Sequence, residues 1–268
     1  MRFGTLSRLA AGAHGFLLQP SSPARTLFKH DHLAFGISPL PRAQSCSTAS
    51  RAASSENMST VSASRRLGKL VPSNTVFFLC DIQERFRDLI FNMPAVISTA
   101  KFMVDVSQEL EVPCIVTEQY PERLLPTVAE LNIKKSEKPA NVDLFSKKLF
   151  SMCTREVMDK VESREPRTEH VVLFGIEAHV CVTQTCLDLL ERDYKVHVVC
   201  DGVSSQKPYD RTVALQRMQQ AGAYLTTAEQ VTFQLLNNAE DPKFKAVSNL
   251  VKIRNTEGIN TFSTMSTL

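Results

Sequence analysis

The chain contains no tryptophan and only nine glycines among its 268 residues. Neither the G-x-G-x-x-G pattern nor the G-x-x-x-x-G-K-[S/T] loop occurs among those glycines. Their absence argues against the common glycine-rich loops that bind dinucleotides and nucleoside triphosphates. The sequence also lacks any run of about 18 consecutive apolar residues, so we expect no membrane-spanning helix and no membrane partner.

Cysteine is present, but not in a pattern typical of disulfide frameworks or metal sites. The seven cysteines are at positions 46, 80, 114, 153, 181, 186 and 200, and no two of them form a C-x-x-C pair. We interpret them as reduced intracellular thiols. His170, His179 and His197 show no ligand spacing relative to the cysteines, so we predict no metal site and no cofactor.

Positive charge is concentrated near the N-terminus. Residues 1–66 carry eight Lys or Arg and two acids, a net +6, which leaves −3 for the rest of a chain whose formal charge is +3. An Arg- and Ser-rich, acid-poor start is typical of a mitochondrial transit peptide, so we predict a disordered leader over residues 1–64 and import into the matrix. The alternatives are a tail without a targeting role and a start at Met58, which would give a cytoplasmic pool.

From residue 69 onward, short apolar runs alternate with longer amphipathic stretches. Predicted strands cover residues 75–80, 112–117, 142–145, 170–174, 195–200 and 224–226, and predicted helices cover residues 94–110, 154–161, 182–193, 210–221 and 227–236. Such alternation is typical of βαβ units. We predict a three-layer α/β domain over residues 69–255 with a mostly parallel sheet of about six strands and helices on both faces. A flexible tail is expected over residues 256–268.

Cys181 is the most prominent candidate for chemistry. An apolar run ends at Gly175, a short polar turn follows, and Cys181 stands where a helix is predicted to begin. The positive end of a helix dipole favours the thiolate, which is the nucleophilic form. Asp81 and Asp201 also follow predicted strands, and parallel sheets bind ligands at that edge. The alternatives are that Cys181 is a small buried apolar residue and that Asp81 only caps a loop. We interpret Asp201 as structural, holding the loop that follows it.

Four motifs together point to a known family. They are residues 79–86 (LCDIQERF), residues 117–121 (TEQYP), Lys147 followed by Phe150, Ser151 and Met152, and residues 241–245 (DPKFK). In combination they resemble the isochorismatase-like hydrolase superfamily, which includes nicotinamidases and N-carbamoylsarcosine amidohydrolases, and above all its animal members. The resemblance covers about residues 69–251 and implies a Rossmann-like fold.

The resemblance implies a catalytic triad of Asp81, Lys147 and Cys181. Asp81 would take the thiol proton, Lys147 would favour the thiolate, and Cys181 would attack an amide carbonyl to give a thioester that water hydrolyses. The resemblance also implies a cis peptide bond between Ile176 and Glu177. The main-chain N–H groups of Glu177 and Cys181 would form the oxyanion hole.

Four further side chains are candidates for substrate binding: Gln83, Phe86, Tyr120 and His179. Three of the four have an alternative interpretation. Phe86 and Tyr120 fit the core equally well, and His179 fits a pocket wall or a hydrogen-bonding role better than a catalytic one.

The departures from the family pattern bear on the reaction. Residues 117–123 contain no histidine, where nicotinamidases carry metal ligands, and true isochorismatases lack the nucleophilic cysteine. We therefore expect a metal-independent cysteine hydrolase that acts on a small amide or related C–N bond. The alternatives are a catalytically silent binding or regulatory protein and a vinyl-ether hydrolase of the isochorismate type.

A small-molecule substrate and a homo-oligomer are the expected partners. Apolar residues late in the chain suggest a surface that one small domain leaves uncovered: Val231, Phe233, Leu235 and Leu236. The mildly acidic domain has no basic stripe, so nucleic acid is not an expected partner.

Overall fold

The computed structural model describes residues 67–134 and 136–256. The predicted leader and nearly all of the predicted tail lie outside these residues. Within the described ranges, no helix is both long and apolar enough to cross a lipid bilayer.

Within the described residues, six strands form one sheet. They are β1 (Thr75–Cys80), β2 (Cys114–Gln119), β3 (Val142–Lys147), β4 (His170–Ile176), β5 (Lys195–Ser204) and β6 (Tyr224–Thr226). The order across the sheet is β3-β2-β1-β4-β5-β6, and every neighbouring pair is parallel. This confirms the predicted parallel α/β sheet of six strands.

In the part of the chain that the structure describes, seven α-helices accompany the strands. They are α1 (Met93–Glu109), α2 (Pro121–Leu124), α3 (Arg155–Glu162), α4 (Thr183–Glu191), α5 (Pro208–Gln220), α6 (Ala228–Leu236) and α7 (Phe244–Thr256). Helices α1, α6 and α7 contact one another, while α4 and α5 form a second group. Because crossovers between parallel strands are right-handed, the α1 crossover and the α4 crossover, which run in opposite directions across the sheet, lie on opposite faces.

The two central strands are buried along their whole length. All six residues of β1 and all seven of β4 are buried, as expected for strands covered by helices on both faces. Phe77 and Phe174 pack edge to face across the pair, with ring centroids 6.1 Å apart and an angle of 84° between the planes. Apolar side chains of this size each contribute about 1.5–3 kcal/mol on full burial, so this pair of strands is a major source of stability.

The direction of the chain across the sheet reverses between β1 and β4. Ligand sites in open parallel sheets lie at such a reversal. Gly175 makes the close approach of the two strands possible, because a Cβ built on it would lie 2.1 Å from the carbonyl oxygen of Cys80. Gly175 also has a φ of +121°, a conformation that favours glycine.

Strand β5 is longer than predicted. It continues to Ser204, and its pairing with β4 shifts register between Leu173 and Gly175. Asp201 therefore lies inside an irregular strand and not after its end. Such irregularities depend on pairing with a neighbouring strand, and a single apolar run does not reveal them.

Helix α7 is absent from the sequence-based prediction. Arg254 anchors it to the domain by donating to Asp201 Oδ2 at 2.7 Å and to Thr99 Oγ1 at 2.9 Å. Asp201 Oδ1 also accepts from the main-chain N–H of Ala228. Asp201 thus joins α6 and α7 to the sheet, which agrees with a structural role for this residue.

The residues that suggested an uncovered apolar surface are mostly inside the domain. Val231, Leu235 and Leu236 are buried, and only Phe233 is exposed. The reason is that α6 packs against α1, β5 and the unpredicted α7. That particular argument for a homo-oligomer was therefore wrong.

Candidate active site

Asp81 follows β1 directly, so it lies at the C-terminal end of the strand beside which the strand order reverses. Its carboxylate is 1% exposed, and its φ of 49° is in the left-handed region that Asp tolerates better than most residues. Thr117, in β2, donates its hydroxyl to Asp81 Oδ1 at 2.8 Å. The main-chain N–H of Asp81 donates to the carbonyl of Thr117 at 3.1 Å. The neighbouring strand therefore fixes both the main chain and the side chain of Asp81.

Lys147 reaches Asp81 from the other side of β2. It ends β3, and its Nζ lies 2.6 Å from Asp81 Oδ2. The same ammonium group donates to Gln119 Oε1 at 2.7 Å and to the carbonyls of Leu149 and Phe150 at 3.2 and 2.9 Å. The lysine side chain is fully buried, so these acceptors replace the water that it loses.

Cys181 lies in one turn of π-helix, Ala178–Val182, that leads into α4. Thr185, one turn further on, donates its hydroxyl to the carbonyl of Cys181 at 2.7 Å and accepts from the main-chain N–H of Met152 at 2.8 Å. This links the Cys181 turn to the segment that follows Lys147. The thiol is nearly buried, with Cys181 7% exposed.

The fold brings Cys181 to Asp81. The thiol sulfurs of Cys80 and Cys181 and a carboxylate oxygen of Asp81 all lie within 4.8 Å of one another. Cys80 Sγ is 3.4 Å from Asp81 Oδ2. Asp81, Lys147 and Cys181 thus meet at one edge of the sheet, although they come from three different strands or strand ends.

The electrostatics of the site favour a basic carboxylate beside a fixed cation. Burial raises the pKa of Asp81, even though Lys147, Thr117 and Cys181 each stabilise the carboxylate. Burial by itself disfavours the charged form of Lys147, but coupling to its acidic neighbours Cys80, Asp81 and Cys181 more than offsets burial, and the pKa of Lys147 is raised. Burial also raises the pKa of the Cys80 thiol. At neutral pH Lys147 is therefore a cation and Cys80 a thiol.

The turn before Cys181 has the backbone conformation that the resemblance implied. The peptide bond between Ile176 and Glu177 is cis, which confirms that expectation. The carbonyl of Glu177 accepts from the N–H groups of Val180 and Val182 at 3.0 and 3.2 Å. The Glu177 carboxylate accepts from the N–H of Gln206 at 3.0 Å, so the turn is tied to the loop after β5.

Gln83 is buried, and its side chain bonds to main-chain groups. Its Nε2 donates to the carbonyls of Gln119 and Leu125 at 3.0 and 2.6 Å, and its Oε1 accepts from the N–H of Gln119 at 2.8 Å. These bonds hold the loop after β2 against the segment after β1.

The other three candidate substrate contacts lie on segments that follow the strands. Phe86 is half-buried in a 3₁₀ turn, Glu84–Phe86, after Asp81. Tyr120 is half-buried after β2, with Lys148 Nζ 5.0 Å from its ring centroid. His179 is exposed, and its Nδ1 lies 2.9 Å from Ser205 Oγ.

Several residues that build the site were not candidates in the sequence analysis: Cys80, Thr117, Gln119 and Thr185. Cys80 and Thr117 lie in buried strands, where a thiol or a hydroxyl looks like ordinary core. The signal in the sequence was their membership of the LCDIQERF and TEQYP motifs.

Comparison with known proteins places the chain in a family. A family model described as Isochorismatase domain matches residues 75–230. The chain belongs to the isochorismatase family. It is 48% identical to the secreted isochorismatase effector Isc1 of Phytophthora sojae over 191 residues, which is 71% of this chain and 90% of that protein. It is 44% identical to isochorismatase domain-containing protein 2 of Homo sapiens over 186 residues, 69% of this chain and 87% of that protein.

A solved structure shares both the fold and much of the sequence. The structure described as MAR1 ribonuclease from Caenorhabditis elegans superposes with a TM-score of 0.67 at 41% identity, and the match covers 75% of this chain and 100% of that chain. This similarity agrees with the six-stranded parallel sheet described above.

Proposed function

We propose that this protein is a metal-independent cysteine hydrolase that cleaves a small amide or related C–N bond, with Asp81, Lys147 and Cys181 as its catalytic residues. The observation that carries the proposal is the position of the Asp81 carboxylate. It bonds to the Lys147 ammonium at 2.6 Å and lies within 4.8 Å of the Cys181 sulfur. A thiol nucleophile is activated by a nearby base that takes its proton and by a nearby cation that stabilises the thiolate.

The reaction follows from these contacts. Asp81 takes the proton of the Cys181 thiol, and the thiolate attacks the carbonyl carbon to give a tetrahedral intermediate. The C–N bond then breaks, and Asp81 returns the proton to the leaving nitrogen. Water attacks the resulting thioester while Asp81 accepts its proton, and the acid product leaves as the thiol re-forms. The raised pKa of Asp81 suits each of these transfers.

The main-chain N–H groups of Glu177 and Cys181 are our proposed oxyanion hole. Both belong to the turn that begins at the cis peptide bond and contains the nucleophile, and a preorganised pair of N–H donors of this kind stabilises a developing oxyanion. Phe86, Tyr120 and His179 are our proposed contacts with substrate. Gln83 acts on the substrate indirectly, because its side-chain amide holds the loop after β2 in place.

Two other activities, and a binding protein without activity, are the alternatives to this proposal. The family name suggests a vinyl-ether hydrolase, and the relative from Caenorhabditis elegans is described as a ribonuclease. Net charge disfavours RNA, because residues beyond Arg66 carry −3 of the formal charge and RNA binding depends on basic surface. A silent binding protein has no physical need for a base, a cation and a thiol in contact.

The decisive experiment is a screen of small amides, a vinyl ether and single-stranded RNA with the full chain and its Cys181→Ala variant. We expect turnover of an amide that the variant lacks. In parallel, iodoacetamide labelling followed by mass spectrometry should show faster alkylation of Cys181 than of Cys186 at neutral pH. Hydrolysis of RNA or of the vinyl ether alone, or Cys181 no more reactive than Cys186, would overturn the proposal.

We also propose import into the mitochondrial matrix, with a cytoplasmic pool if translation starts at Met58. The argument is the Arg-rich, acid-poor leader. Cell fractionation with N-terminal sequencing should find a mitochondrial form that lacks the leader. A wholly cytoplasmic protein beginning at Met58 would contradict import.

A homo-oligomer is the assembly we propose. Large apolar side chains are exposed on segments that follow the strands, including Leu149, Phe150 and Tyr209, and exposed apolar patches mark interaction surfaces. Light scattering on the protein from Lys69 onward should give a dimer or larger. A monomer at micromolar concentration would refute this.

A further inference from the structure

Cys80, Asp81 and Cys181 form a compact set of soft and hard ligand atoms. All three side chains are buried, and one ligand atom from each lies within 4.8 Å of the other two. The proposed reaction uses Asp81 and Cys181 but gives no role to Cys80. Cys80 is the last residue of β1, and its thiol donates toward Asp81 Oδ2 at 3.4 Å.

The spacing between Cys80 and Asp81 fits tetrahedral coordination of a metal ion. Tetrahedral zinc, with Zn–S of about 2.3 Å and Zn–O of about 2.0 Å, separates a sulfur and an oxygen ligand by about 3.5 Å. The separation between Cys80 Sγ and Asp81 Oδ2 is 3.4 Å. A disulfide would instead require the two sulfurs to approach to about 2.05 Å.

Charge balance also suits a divalent cation. Two thiolates and the Asp81 carboxylate carry three negative charges, and a dication together with the Lys147 ammonium carries three positive ones. A buried site with no net charge avoids most of the cost of desolvating an unpaired ion. Lys147 can release Asp81 Oδ2 because Gln119 and two main-chain carbonyls remain as acceptors for its three protons.

We propose that Cys80, Asp81 and Cys181 bind a thiophilic divalent cation of the zinc type. The cation coordinates both the proposed nucleophile, Cys181, and the proposed base, Asp81, and so blocks them. Binding releases the two thiol protons, forms two metal–sulfur bonds and one metal–oxygen bond, and leaves a fourth position for water. The metal inhibits the enzyme reversibly. The inhibition rests on the proposed function, whereas the binding does not.

Titration of the purified full chain with Cd²⁺ tests the binding directly, because cadmium thiolates absorb in the ultraviolet. We expect a charge-transfer band that Zn²⁺ displaces and EDTA abolishes. The Cys80→Ala variant should bind more than about tenfold more weakly, since loss of even an outer-shell partner costs 10–100-fold in affinity. The matched control is Cys186→Ala, which removes a buried thiol from α4 and should leave the affinity unchanged.

A second measurement uses the nucleophile itself as a probe. Zn²⁺ should protect Cys181 from iodoacetamide in the wild type, EDTA should restore its reactivity, and Cys80→Ala should weaken the protection. If Cys80→Ala fails to fold, as judged by circular dichroism, Cys181→Ala must lose the Cd²⁺ band instead.

The inference is overturned by the lack of a band, or by a folded Cys80→Ala or Cys181→Ala variant that binds Cd²⁺ as tightly as the wild type. A loss of Cys181 reactivity that only a reductant reverses would also overturn it, because that result indicates a Cys80–Cys181 disulfide. These outcomes are independent of the amide screen. A chain that binds Cd²⁺ but cleaves nothing refutes only the proposed function.

Discussion

Lys147 Nζ lies 2.6 Å from Asp81 Oδ2, although β2 separates the strands that carry the two residues. The long lysine side chain crosses the end of β2, and Gln119 at that end accepts from the same ammonium group at 2.7 Å. The pair is buried, so neither charge has water as an alternative partner. Removing one partner therefore leaves the other uncompensated.

Lys147→Met should lower both stability and thiol reactivity. The change leaves the Asp81 carboxylate buried without its cation, which costs about 3–5 kcal/mol in the free energy of unfolding. We expect alkylation of Cys181 to slow at least about tenfold, as loss of a nearby cation disfavours the thiolate. Urea unfolding and iodoacetamide kinetics measure the two effects.

The neighbouring Lys148→Met is the control for that variant. Lys148 is exposed, with its ammonium 5.0 Å from the Tyr120 ring centroid, so its loss should cost at most about 1 kcal/mol. Equal effects of the two substitutions would show that Lys147 has no special part in the site.

Asp81→Asn and Asp201→Asn should separate chemistry from stability. Asp81 follows β1, whereas Asp201 lies near the C-terminal end of β5 and pairs with Arg254. Loss of a base in Asp81→Asn should reduce hydrolysis on the order of 10²–10⁴-fold. Asp201→Asn should cost about 1.5–3 kcal/mol through its charged hydrogen bond and leave Cys181 reactivity unchanged. Unchanged hydrolysis in Asp81→Asn would show that Asp81 has no part in the mechanism.

Gly175→Ala should disturb the site more than Gly222→Ala. Both glycines have positive φ, at +121° and +108°, so both substitutions carry backbone strain of about 1–3 kcal/mol. Only Gly175 is crowded, because its Cβ would meet the Cys80 main chain at 2.1 Å, whereas nothing lies within 4 Å of a Cβ on Gly222.

We therefore expect a larger fall in melting temperature for Gly175→Ala, with slower alkylation of Cys181. Each kcal/mol corresponds to about 2–4 °C for a domain of this size. Melting temperatures that fall equally, with unchanged alkylation in both variants, would show that the approach of β1 and β4 does not position the thiol.

Acid should destabilise the domain through His170 and His197. Burial lowers the pKa of His170 to about 4 and, together with the neighbouring His170, lowers that of His197 to about 3. The unfolded histidines bind protons near their ordinary pKa of about 6.5, so stability is complete above that pH and declines as the pH falls toward the folded values.

Unfolding in urea at pH 7 and pH 5 tests this. The loss at pH 5 should reach up to about 2 kcal/mol per histidine. His197→Phe retains a ring against Tyr224, on which His197 stacks at 4.9 Å, and should reduce the pH dependence by about half. A pH dependence unchanged in that variant would assign the effect to other groups.

Local sequence patterns determined much of the fold. Strand β1 was predicted with its observed bounds because an uninterrupted apolar run is typical of a strand buried on both faces. Helix α7 was missed because Val247 is its only fully buried residue, so it has little apolar periodicity to detect. The ion pair between Arg254 and Asp201, which holds α7 in place, joins residues far apart in the chain.

For the site, the motifs pointed to Asp81, Lys147 and Cys181, but only the tertiary structure decided how their atoms meet. Contact between Cys80 and Cys181 depends on β1 lying beside β4 and on the main-chain approach at Gly175. No spacing in the sequence encodes that neighbourhood, because strand order across a sheet is a property of the folded chain. The sequence alone therefore determined which residues are candidates for the chemistry, and the pairing of strands decided which of their atoms lie close together.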